Sequence, residues 1–91
     1  MRRLPSSFNA HHISDIEIDE VFSEWLHPNV EIPLQPRDHG ERILYVGISA
    51  SRKALVEIGG EDQGGERVIF HAREATKNSI KTYEELIKWK I

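Results

Sequence analysis

The sequence predicts an α+β fold in which an N-terminal helix, a three- to four-stranded antiparallel sheet and a C-terminal helix form one domain. Three observations predict it. Apolar residues recur at helical spacing shortly after His12, three runs rich in β-branched and aromatic residues follow one another through short polar links, and helical spacing returns after Arg73. A chain of 91 residues holds one core and not two.

The elements follow in order. Residues 1–10 read as a flexible N-terminus in which Arg2 and Arg3 are solvated, and residues 11–91 as the domain. Ser14 or Asp15 caps a helix carrying acidic residues in its first turn and Ile18, Val21, Phe22 and Trp25 on one side, and His27-Pro28-Asn29 stops it. With Pro33 and Pro36, the stretch VEIPLQPRDHGE is at most an edge strand. ERILYVGIS, KALVEIG and ERVIFHAR are the three strands, joined as a meander by SASRK and by GEDQGGE, a polar loop containing Gly64-Gly65. Thr76 caps the last helix, whose stripe is Ile80, Tyr83, Ile87 and Ile91 with Leu86 alongside.

Composition limits the functions available. Without cysteine there is neither a disulfide framework nor a thiolate zinc site, which is compatible with a reducing cytoplasm. No signal peptide or membrane span is expected, because the apolar runs are short and Pro5-Ser6-Ser7 follows the opening arginines. A net charge of −3 argues against coating nucleic acid by charge alone. The charge is uneven, however. Six acidic residues and no Lys or Arg lie between Leu4 and Pro36, whereas ten basic residues face nine acidic ones from Arg37 onward, so a polyanion would meet the second part.

Strand alternation sorts the candidate site. With no shift of phase, Leu44, Val46, Ile48, Val56, Ile58, Val68, Phe70 and Ala72 form the apolar sets that meet the helices. The opposite face then gathers Tyr45, Glu57, Arg67, His71 and Arg73. That set fits cleavage of RNA by its own 2′-OH, which needs a base, an acid and cations on the phosphate. Glu57 is the candidate base, His71 the candidate acid, Arg67 and Arg73 a phosphate clamp, and Tyr45 a stacking partner. The same residues equally fit cross-strand charge pairs on an open sheet face. Tyr83 lies on the core stripe of the last helix, and Lys77 and Lys81, one turn apart, extend a phosphate track or a solvated face.

Other chemistries find no support. The five histidines form no HxxxH or ligand-spaced triad, so neither a metal nor another cofactor is expected. Gly59-Gly60 and Gly64-Gly65 bracket an acidic turn that repels phosphate, and no GxSxG elbow is present.

The run H-A-R-E-A-T-K-N-S-I-K-T-Y-E-E, from His71 to Glu85, resembles the C-terminal signature of the BrnT-type toxins, with Ala72, Arg73, Ala75, Thr76 and Tyr83 matching. R-I-L-Y-V-G-I-S with K-A-L-V-E-I is similar to the family's paired strands, and H-H-I-S-D-I-E-I-D-E-V-F to its His-containing loop and Glu-rich helix, so the resemblance covers roughly residues 9–86. It implies a RelE-like fold and an endoribonuclease toxin of a type II toxin–antitoxin system. It also implies a partner antitoxin of ribbon-helix-helix type and an RNA substrate, free or on the ribosome. Arg73 and Tyr83 inherit roles by matching position, followed by Arg42. Three departures stand out: Ser79 replaces the usual Glu, the opening strand and Lys-rich helix are missing, and the chain is acidic. They motivate the competing expectation of a non-catalytic protein-binding module that keeps the toxin fold.

Overall fold

The computed structural model describes residues 1–8, 12–23, 27–37 and 40–90. Trp25, His11, His39 and Ile91 lie outside the described residues. The chain is α+β, with strands β1 (Arg2–Arg3), β2 (Val30–Arg37), β3 (Gly40–Ser49), β4 (Ala54–Gln63) and β5 (Glu66–Glu74), and helices α1 (Asp15–Phe22) and α2 (Lys77–Ile87). The five strands form one sheet in the order β1-β5-β4-β3-β2. It is mixed rather than antiparallel, since β1 runs parallel to β5 while the other pairs are antiparallel.

Local chemistry explains the element ends. Ser14 caps α1 through a reciprocal pair of bonds: its hydroxyl accepts from the Glu17 amide at 3.2 Å, and the Glu17 carboxylate accepts from the Ser14 amide at 2.8 Å. Ser14→Ala is therefore expected to cost about 1 kcal/mol, read as a lower urea midpoint at unchanged slope. β2 takes the sheet edge, where the missing N–H groups of Pro33 and Pro36 are tolerated. The polar link before β5 is less loop than the sequence suggests. β4 continues to Gln63 and only Gly64 and Gly65 turn, with φ of +60° and +85°, as a two-residue hairpin with the twist of its strands requires.

The N-terminus differs from expectation as well. Arg2 and Arg3 pair with Val68 and Ile69, and the Arg3 guanidinium bonds to the Asp15 carboxylate and the Ile13 carbonyl, each at 2.8 Å. A two-residue strand leaves no periodic trace in a sequence, and its anchor is an ion pair twelve residues away.

The core lies between α1 and one sheet face. Ile13, Ile18 and Val21 pack there against Tyr45, Val56, Ile58, Ile69 and Ala72, with Phe22 and Ile43 beside them. α2 lies on the other face, tied to β4 through Glu57. The helices thus cover opposite faces, not one shared apolar face. Tyr45 sits opposite Ile58, and Val46 opposite Glu57, so β3 is turned over relative to the sorting by hydrophobicity. Its two side-chain sets are both apolar enough to be buried, and only pairing with β4 distinguishes them.

Candidate active site

β4 and β5 build the site by register. Glu57 stands opposite Arg73, and Gly59 opposite His71, so the alternation of the two strands brings Glu57, His71 and Arg73 to one face. Gly60 then pairs with Ile69, which leaves Phe70 as an extra residue in a β-bulge. The bulge turns Phe70 toward the same side as His71. Its ring closes over Gly59, where an added Cβ would lie 2.7 Å from the ring carbons.

Glu57 is the hub. His71 Nε2 meets Glu57 Oε2 at 2.8 Å, while Oε1 accepts from the Thr76 amide at 2.8 Å and from the Ser79 hydroxyl at 2.9 Å. Burial pushes the Glu57 carboxyl up, but the bonds from His71, Thr76 and Ser79 outweigh it and hold it at about 2. A carboxylate so tied is a poor base. Its contact with Nε2 fixes the orientation of the His71 ring. The imidazole is one-third exposed, and Nδ1 faces no hydrogen-bond partner among the described residues.

The same carboxylate completes the cap of α2. In a capping box the third helical residue supplies an acid to the N-cap amide. Here Thr76 is the N-cap and Ser79 the third residue, and the acid reaching the Thr76 amide is Glu57 of β4. Ser79 contributes instead by donating its hydroxyl to that acid, and its amide donates to Thr76 Oγ1 at 3.2 Å.

Arg42 joins this face. It pairs with Glu61 in register, and its guanidinium carbon lies 4.0 Å from the Phe70 ring centroid. Arg73, half-buried, donates from Nε to the Glu74 carbonyl at 3.2 Å. Lys77 is exposed in the first turn of α2. Tyr83 lies one turn beyond Ser79 on the same side of α2, and burial pushes its phenol up, so it remains a proton donor at neutral pH.

Two expected members are elsewhere. Tyr45 and Arg67 belong to the α1 face, where Arg67 lies 4.3 Å from the Phe22 ring centroid and 5.0 Å from that of Tyr45. The two rings meet edge to face at 4.9 Å. With Glu41, Ile43 and Asp62, Tyr45 and Arg67 line a separate cleft of about 370 Å³. The bulge at Phe70 puts Arg67 out of phase with His71, and the register of β3 carries Tyr45 away. Sequence reasoning missed Phe70 as a partner of Arg42 and Thr76 and Ser79 as partners of Glu57. A glycine directly across from His71 was the available signal for the first.

Among the described residues no group of three or more His, Asp or Glu side chains stands close enough to hold a metal ion. What the face offers is an imidazole fixed by a buried carboxylate, two arginines and an aromatic ring. No family model, curated protein or solved structure matches the chain.

Proposed function

We propose that the chain is a metal-independent endoribonuclease toxin of BrnT type with a RelE-like fold, acting in the cytoplasm and neutralised by a protein antitoxin. The observation that carries the reading is the Glu57–His71 pair at 2.8 Å on a face that also presents Arg73 and Arg42. His71 is the proton carrier and Glu57 positions it. Nδ1 takes the proton of the ribose 2′-OH, and the 2′-oxygen attacks the adjacent phosphorus. The P–O5′ bond breaks to leave a 2′,3′-cyclic phosphate, and the protonated imidazole returns its proton to the departing 5′-oxygen. Arg73 balances the charge that builds on the phosphoryl oxygens, and Arg42 binds the RNA beside it. Lys77 extends the cationic track, and Tyr83 is a donor at its rim.

The test is induced expression of the chain alone, together with purified chain and RNA, with and without ribosomes. Growth arrest and 2′,3′-cyclic phosphate ends are expected, and Arg73→Ala should relieve both. A harmless chain that cuts no RNA under either condition overturns the reading. A second reading is a non-catalytic binding module, favoured by the fact that two of the three Glu57 bonds fasten α2 to the sheet. It predicts a tight partner complex with no effect of Arg73→Ala on growth.

A further inference from the structure

Phe70 occupies an unusual position for an aromatic residue. The chain gives up regular pairing at this point, places a glycine across from the next residue, and so lets the ring lie on the His71 face over Gly59. Arg42 then reaches from β3 across β4 to lie over that ring at 4.0 Å. It does so without pairing with its cross-strand neighbour Glu61. Among the described residues, Arg42 Nε and Glu61 Oε1 are both buried and have no hydrogen-bond partner, although the two residues are opposed in register. A buried donor and a buried acceptor left unmatched are a cost the fold carries, and such groups call for an explanation. The guanidinium lies over the ring, and among the described residues it makes no ion pair with the Glu61 carboxylate.

We propose that the Arg42–Phe70 stack is the seat of one nucleobase of a single-stranded RNA, beside the phosphate bound at His71 and Arg73. The RNA substrate rests on the ribonuclease reading above; the seat itself rests on the stack. A guanidinium plane backed by an aromatic ring offers a flat, weakly hydrated surface on which any base can stack, whereas the paired geometry offers only an edge. The bulge sets Phe70 and His71 next to each other in the chain and on the same side. A base seated on the stack therefore delivers its own ribose and phosphate to the imidazole. Single-stranded RNA fits, because a base within a duplex has no free face to offer.

The experiment uses the full chain carrying His71→Ala, so that RNA survives, and a fluorescein-labelled single-stranded RNA octamer read by anisotropy. Inorganic tripolyphosphate serves as a competitor that has charge and no base. Phe70→Leu and Arg42→Lys, each added to this background, are expected to weaken octamer binding on the order of tenfold, and Phe70→Tyr to restore it. Phe70→Leu should leave tripolyphosphate binding unchanged. Unchanged octamer affinity in both variants overturns the seat, as does equal loss for octamer and tripolyphosphate in Phe70→Leu, or an octamer that does not bind at all. Cleavage by the parent chain that is insensitive to Phe70 and Arg42 sinks the seat and leaves the ribonuclease reading standing. Octamer binding that depends on Phe70 in a chain that cuts no RNA does the reverse.

Discussion

Replacing His71 by Ala is expected to lower the rate of RNA cleavage on the order of 10²- to 10⁴-fold, the usual contribution of a positioned acid–base group, and to abolish growth arrest. The fold should survive, because the imidazole is one-third exposed and Glu57 keeps its bonds to Thr76 and Ser79. His71→Gln separates chemistry from anchoring. Glutamine can donate to Glu57 but cannot shuttle a proton at neutral pH, so it should be as inactive as alanine while melting closer to the parent. Single-turnover cleavage and thermal unfolding measured on the same preparations make the comparison. A glutamine variant that still cuts RNA would move the proton transfer to another residue.

Glu57→Ala should produce the largest loss of stability in the site, about 3 kcal/mol, because three donors lose their acceptor at once in a buried position. Against the 5–15 kcal/mol typical of a domain, that is enough to populate the unfolded chain measurably. The pH dependence has a definite sign. A carboxyl that ionises at about 2 when folded and near its ordinary 4.5 when unfolded stabilises the fold fully above pH 4.5, and that contribution fades as pH falls toward 2. The difference corresponds to about 3 kcal/mol. Glu57→Gln should therefore flatten the acid limb of stability between those pH values, which urea titrations at a series of pH would record. An acid limb identical in parent and variant would show that other carboxylates set it.

Much of the architecture was legible because it is written in short-range terms. Ser14 or Asp15 announces the start of α1 and Thr76 that of α2, and the β-branched runs mark β3, β5 and the start of β4 within a residue, while β4 runs four residues past its run to Gln63. Of the site, Glu57, His71 and Arg73 could be grouped because regular alternation on β4 and β5 brings them to one face. What could not be read was pairing. Whether Tyr45 or Val46 accompanies Glu57 depends on the register of β3, and both of its faces are apolar enough to be buried. Arg67 was misplaced because the bulge depends on how β5 meets β4, which no window along one strand reports. The cap on α2 was hidden for a similar reason, since its acid lies 19 residues upstream of the amide it serves.

The extra residue in β5 works like an inserted letter in a text read two letters at a time. Before Phe70 the strand places Arg67 and Ile69 in the α1 layer; after it, the strand places His71 and Arg73 in the opposite layer. One strand is thereby read in two frames, one for the core and one for the site. A single-residue deletion at this point would do more than remove a ring. It would throw either the core half or the site half of β5 to the wrong side of the sheet, so chain length here is constrained more tightly than side-chain identity.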